Sequence, residues 1–292
     1  FIDTRHATEV PEAVLSATAI ATLRLAPQGG TDLLFRMVAS QAPTAARAMA
    51  LRCLAELTTG DSTTGVRVRF EKGGVTVDNP SGDPTLARRY RMLGIALQLS
   101  ASSPDEGLRL EASKINARLN PDDAAGQLAG TLTGGSIAEQ QSAYASLGDL
   151  KSDAADALLV EALDRLMQRD VANEVMLDLV LAASRRDATA VKTRLAAYQD
   201  WKLPKDHLSP YREALYGGDA ARGRKIFYEN AAVACTRCHQ IGGDGGGNAG
   251  PKLDGLATRA TREHLLESVV FPNQQVVQGF ETAMITLKDG QT

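Results

Sequence analysis

Cys235-Thr236-Arg237-Cys238-His239 places two thiols and an imidazole within five residues. Thiolates are nucleophiles and soft ligands, and imidazole is the commonest side-chain metal ligand. Two residues between the cysteines set their sulfurs one helical turn apart, and the histidine follows directly. That spacing matches addition of both thiols across the two vinyl groups of a porphyrin. The histidine is then carried beneath the ring toward the iron, which is the pattern of a c-type haem attachment site. The expected cofactor is one covalent haem c. Cys235 and Cys238 are its anchors and His239 its proximal iron ligand.

Other chemistries use the same residue types. A zinc half-site would need two more soft ligands, and the remaining cysteine, Cys53, lies far upstream in a helical pattern. A thioredoxin-like redox pair would sit at a strand-to-helix junction in a βαβ context, and none is visible. A disulfide between Cys235 and Cys238 would close a very small, strained loop.

The 292 residues allow two domains and a substantial core. Hydrophobic residues make up 43% and charged residues 23%, a composition that argues against disorder. Aromatics are only 4%, while alanine and leucine abound, which favours helices packed through small residues. The net charge is −3 with both signs spread along the chain, so no basic stripe points to nucleic acid. No apolar run approaches the ~18 residues of a transmembrane helix. The sequence begins at Phe1, not at a methionine. Covalent haem attachment takes place outside the bacterial cytoplasm, so a periplasmic or otherwise exported location is expected, with the signal removed upstream.

The elements that must carry this site are mostly helical. The pattern predicts a helix over Val10 to Ala26, stopped by Pro27-Gln28-Gly29-Gly30, and another from Thr31 to Ser40. Pro43 opens a third, with Ala46, Ala50, Cys53 and Leu57 on one face. Cys53 reads there as a small buried hydrophobe. Residues 66–77 break the pattern. Val66-Arg67-Val68-Arg69-Phe70 alternates with period two, and Val75-Thr76-Val77 follows a glycine pair, so a β-hairpin insertion is expected.

Helices resume near Pro84, with Leu86, Tyr90, Leu93 and Leu97 as a stripe. Ser103-Pro104-Asp105-Glu106 reads as a capping box with proline at the first helical position. Its helix buries Leu108, Ala112, Ile115 and Leu119 and ends at Asn120-Pro121. Gly134-Gly135-Ser136 separates later helices. Stripes recur at Ala155, Leu158, Ala162 and Leu166, then at Ala172, Val175, Leu179 and Ala183, with a further helix from Asp187 to Tyr198. Helix pairs at intervals of roughly 35–45 residues predict a HEAT- or armadillo-like repeat domain, with an irregular bundle as the alternative. Residues 1–200 hold no catalytic constellation. The segment from Trp201 to Pro210 reads as a linker, so the expected domains are 1–207 and 208–292.

The second domain carries a resemblance. Gly218-Asp219 opens a helix to about Glu229, with Asp219 as N-cap. The run Gly218 to Phe227 resembles the opening helix of class I cytochromes c, in which the glycine, here Gly223, allows a close helix crossing and the phenylalanine, here Phe227, packs at it. Gly250-Pro251-Lys252-Leu253-Asp254-Gly255 is similar to a cytochrome element. The resemblance implies that the carbonyl of Pro251 accepts the Nδ1–H of His239, fixing the ring and raising its basicity. Gly245 to Gly250 also fits G-x-G-x-x-G, but no strand precedes it and Pro251 follows, so it is no dinucleotide site. The stretches Glu263 to Asn273, Gly279 to Glu281 and Ile285 to Gly290 look like the haem-binding domain common in planctomycete-type proteins. There the domain follows helical repeats behind a dehydrogenase module.

This sequence departs from that family at its end. Thr282 to Leu287 alternates like a hairpin strand. The closing helix and the Met-Pro element that supplies the distal methionine are absent up to Thr292, so the haem domain reads as incomplete at its C-terminus. Met284, His264 and His207 are the candidates for the sixth iron ligand, and axial ligation sets the haem potential.

The fold class expected is therefore mainly α: a helical-repeat scaffold followed by a class I cytochrome c-like domain. The expected function is electron transfer, with electrons taken from a dehydrogenase partner or fused module and no catalytic site in the chain itself. Two alternatives stand beside it. One is a haem enzyme or ligand-binding sensor with an open distal position. The other is an interaction protein with ancillary haem, in which the hairpin makes the special contact.

Overall fold

The computed structural model describes residues 27–59, 65–71, 74–202, 206–243, 247–281, 286 and 288. The described chain is mainly helical. It divides into two compact units, one joining Leu179–Leu195 to the chain up to Asp164, the other joining Arg165–Asp178 to the chain from Ala196 onward. The helix expected over Val10 to Ala26 lies outside the described residues.

In the first unit, helix α1 spans Pro27–Val38 and α2 spans Thr44–Thr59. The Pro27-Gln28-Gly29-Gly30 segment is itself the first turn of α1. The first helical position tolerates proline because its missing N–H would have no intrahelical partner there. Strands β1 (Arg67–Glu71) and β2 (Gly74–Asp78) pair antiparallel, with Val68 opposite Val77 and Phe70 opposite Val75. The hairpin therefore stands where the alternation placed it. Helices α3 (Pro84–Ala101), α4 (Glu106–Leu119), α5 (Pro121–Gly134) and α6 (Ile137–Asp149) follow. Up to α6 each helix packs on the next, and α1 on α3, α2 on α4 and α4 on α6 as well.

The core of this unit joins Val38, Leu51, Leu54, Leu93, Leu97, Leu108 and Ile115, all buried. Withdrawing one such leucine from water stabilises the fold by about 2 kcal/mol. Ala46, Ala50 and Cys53 are buried along one face of α2, so small side chains let its neighbours come close. Burial pushes the Cys53 thiol up, with Glu56 adding to the effect. Protonated in that setting, Cys53 is an apolar packing group. The hairpin sits on α3 at Gly94, where a Cβ would lie 2.4 Å from Val75 Cγ1 and 2.8 Å from Val68 Cγ1.

Capping differs from expectation at one helix. The chain at Ser103-Pro104 is not yet helical. Helix α4 starts at Glu106 with Asp105 at the N-cap and no side-chain cap bond. The Asp105 carboxylate is taken by the Thr44 hydroxyl, and Ser103 Oγ accepts the N–H of Asp105 at 3.1 Å. Tertiary pairing with α2 has overridden the local motif. A reciprocal capping box does open α6, where Ser136 and Glu139 exchange side-chain and backbone bonds.

The rest of the helical region comprises α7 (Asp153–Met167), α8 (Met176–Ser184) and α9 (Thr189–Trp201). On α7 the buried face uses Ala155, Leu159, Ala162, Leu163 and Leu166. Leu159 occupies the place expected of Leu158, which is half-buried.

The second unit reaches back past residue 208 because a buried carboxylate draws the preceding segment in. Glu213, in the 3-10 segment Ser209–Leu215, is 4% exposed. Its Oε1 accepts from Tyr198 Oη at 2.6 Å and from Lys202 Nζ at 2.8 Å. Burial and the bond to Glu213 push the Tyr198 phenol far above its ordinary value, so it stays a neutral donor. Trp201 stacks on Tyr198 but remains 46% exposed. Helices α10 (Ala220–Glu229), α11 (Leu256–Arg259) and α12 (Arg262–Val270) complete the unit. The 3-10 segment packs on α12, where Arg262 Nη1 donates to the carbonyl of Leu215 at 3.0 Å.

Candidate haem-attachment site

Helix α10 aims the chain into the site. Asp219 caps it as expected, its Oδ1 accepting the N–H of Arg222 at 3.0 Å. At the other end Asn230 turns the chain. Its Oδ1 accepts from Ala232 N at 2.9 Å, and its carbonyl accepts from Ala234 N at 2.9 Å. Ala234 then takes a left-handed φ of 47°, a conformation that a non-glycine residue adopts at a cost. The 3-10 turn Cys235–Arg237 follows immediately. The carbonyl of Cys235 accepts the N–H of Cys238 at 3.2 Å and that of His239 at 3.0 Å. One turn of chain thus carries both thiols and the imidazole. Cys235 is half-buried, Cys238 is exposed, and neither is in a disulfide.

His239 Nδ1 lies 2.9 Å from the carbonyl oxygen of Pro251. A carbonyl only accepts, so Nδ1 carries the proton and Nε2 is the basic nitrogen. Among the described residues Nε2 has no partner. The ring is thereby fixed in the tautomer that a metal requires.

Gly247 and Gly250 lie against this turn. A Cβ at Gly247 would fall 1.8 Å from the carbonyl oxygen of Arg237, and one at Gly250 would fall 2.8 Å from His239 Cε1. Only glycine permits that approach. Gly250 N donates to Cys238 O at 2.9 Å and Leu253 N to Gln240 O at 3.0 Å. Two side chains that the sequence reading left unassigned hold the same loop. Asp254 Oδ1 accepts the N–H of Gly242 at 2.6 Å, and Arg259 donates to the carbonyls of Asp254 and Lys252 at 2.6 Å and 3.1 Å. Their roles depend on loop closure, which neither periodicity nor motif spacing encodes.

The remaining candidates are dispersed. His207 Nε2 is bound to Glu267 Oε1 at 2.6 Å and its ring meets Phe271 edge-on, so that nitrogen is committed elsewhere. His264 is half-buried on α12. Met284 lies outside the described residues, as does most of the expected strand Thr282 to Leu287. A Cβ at Gly223 would meet nothing within 4 Å, and Phe227 is half-buried. No helix crossing is present at Gly223 among the described residues. The described residues form no cluster of three or more His, Cys, Asp or Glu side chains able to hold a metal ion.

The donor set fits a covalently bound haem. Two free thiols on one turn suit two thioether bonds, and the oriented imidazole suits an axial iron bond. The surroundings fit as well. From Tyr216 to Glu281 no described residue is buried, while Ile226, Val233, Val269, Val277 and Phe280 are exposed. A stretch of that length has too little apolar burial to fold by itself, and a porphyrin held at Cys235 and Cys238 would add apolar surface for such side chains to pack on.

Residues 220–287 match the family model of cytochrome c. The match supports a cytochrome c-like haem domain over these residues. No curated protein and no solved structure matches the chain. Among the described residues no helix is long and apolar enough to cross a membrane.

Proposed function

We propose that the chain is the electron-transfer part of a larger oxidoreductase system, with one haem c held by Cys235 and Cys238 and ligated through His239. The observation that carries this reading is the 2.9 Å bond from His239 Nδ1 to the Pro251 carbonyl, directly behind a turn that presents two free thiols. When bound, the haem supplies a one-electron ferric–ferrous couple. The protein's own contribution is positional. The turn fixes both attachment points, Pro251 sets the tautomer and orientation of His239, and Gly247 and Gly250 let the backbone approach that turn.

In this proposal the electrons come from a dehydrogenase, fused or separate, in the periplasm or another exported setting. The helices before it are HEAT- or armadillo-like repeats that dock the cytochrome against that donor. Packing of α1 on α2 and α3, of α2 on α3 and α4, and of α4 on α5 and α6 supports a layered, repeat-like array.

The test is the haem-loaded protein mixed with its donor dehydrogenase. The proposal expects a reversible one-electron couple and reduction much faster than by substrate alone. A couple indifferent to the donor would overturn the partner assignment. Carbon monoxide added to the ferrous protein separates electron transfer from ligand sensing. Resistance to binding supports a six-coordinate electron carrier, and ready binding supports an open distal position.

A further inference from the structure

We infer that Asp254 is a positioning residue for the axial imidazole, acting through closure of the glycine-rich loop. The inference rests on the proposed ligation by His239 and goes beyond it by assigning a determinant of the haem potential to a side chain outside the attachment motif.

The loop leaves the histidine at Gly242 and returns to it at Gly250-Pro251. Gly242 and Gly243 take φ values of 65° and 84°. At Gly247 and Gly250 the return limb lies against the backbone of Arg237 and the ring of His239. Its position decides where the carbonyl of Pro251 sits. Backbone bonds hold the limb at Cys238 and Gln240. The mouth of the loop is closed by a side chain, the carboxylate of Asp254 on the N–H of Gly242 at 2.6 Å. A bond from an N–H to a charged acceptor is roughly twice as strong as a neutral one. Among the described residues a further side-chain link across the loop, Gln240 Nε2 to Asn248 Oδ1, is long at 3.4 Å. Arg259 braces the same segment from the far side, through the carbonyls of Lys252 and Asp254.

The consequence follows from the geometry of the histidine bond. Pro251 stands three residues before Asp254. If the mouth opens, the Pro251 carbonyl gains freedom and the Nδ1–H bond weakens. An imidazole whose Nδ1–H is held less firmly would stabilise a ferric iron less, so the midpoint potential would rise.

Two variants separate the bond from the charge. Asp254→Asn removes the negative charge but keeps an oxygen acceptor for Gly242. Asp254→Ala removes both. In the haem-loaded protein we expect both to raise the midpoint potential, Ala clearly more than Asn. We also expect exchange of the His239 Nδ1–H, followed by NMR, to quicken about tenfold in Ala alone, the factor for losing one bond to a charged group. If Ala fails to retain haem while Asn retains it, the acceptor is again shown to matter. Equal shifts in the two variants with unchanged proton exchange would overturn the inference, as would loss of haem from both. A native chain that carries no covalent haem would sink the functional reading itself, which keeps the two failures apart.

Discussion

The helices from α1 to α6 and the segment from Tyr216 to Glu281 are held by different forces. The first are held by burial. Leu51, Leu54, Leu93, Leu108 and Leu147 are 0% exposed, and ion pairs such as Arg109–Glu139 only trim the edges. The second has no buried residue among those described and is organised by polar closure: Asp254 on Gly242, Pro251 on His239, Arg262 on Leu215. A region that buries leucine specifies its own fold.

The largest effect should come from removing the thiols. Replacing Cys235 and Cys238 together by Ala is expected to abolish covalent haem and to leave the amides of residues 220–270 exchanging rapidly, while those of α2 to α4 stay protected. Hydrogen exchange resolved along the chain measures this. Protection retained in both regions would break the contrast, since the second would then be self-sufficient.

Leu93→Ala probes the other side. It empties a fully buried site and should cost about 2–5 kcal/mol of scaffold stability, read from denaturant unfolding, with the haem spectrum unchanged. Glu213→Ala sits between the extremes. It leaves the Tyr198 hydroxyl and the Lys202 ammonium without their buried acceptor, at an expected cost of about 3 kcal/mol. Glu213→Gln keeps an acceptor and should cost less.

The smallest effect concerns Glu139. Its bond to Arg109, with the cap on Ser136, holds its carboxyl below the usual range. A depressed carboxylate contributes fully above the ordinary glutamate value, and its contribution disappears as pH falls through the folded value. Glu139→Gln should therefore lower stability at neutral pH by about 1 kcal/mol or less, with the difference vanishing in acid, so that the acid limb is slightly flatter.

Much of this contrast was legible in the sequence, for physical reasons that differ by region. The period-two run at Val66 to Phe70 could only satisfy its alternation as a strand, and the stripe Ala46, Ala50, Cys53 could only hide on a helix face. The pairing of His239 with Pro251 came from resemblance, because no periodicity links two residues across a glycine loop. Ser103 illustrates what local pattern misses. Its motif was sound, but Thr44, about sixty residues upstream, claimed the carboxylate of Asp105. Asp254, Arg259 and Glu213 were equally silent. Each acts across a fold, through a bond whose partner the sequence does not mark.

The central claim is that this turn holds a porphyrin by covalent bonds. The direct measurement is to denature the chain, purified from a host able to mature c-type cytochromes, and extract it with acidified organic solvent. The account predicts that the haem absorbance stays with the polypeptide, whose intact mass exceeds the protein mass by one haem. Colour lost to the solvent, or a chain weighing only its amino acids, would contradict it.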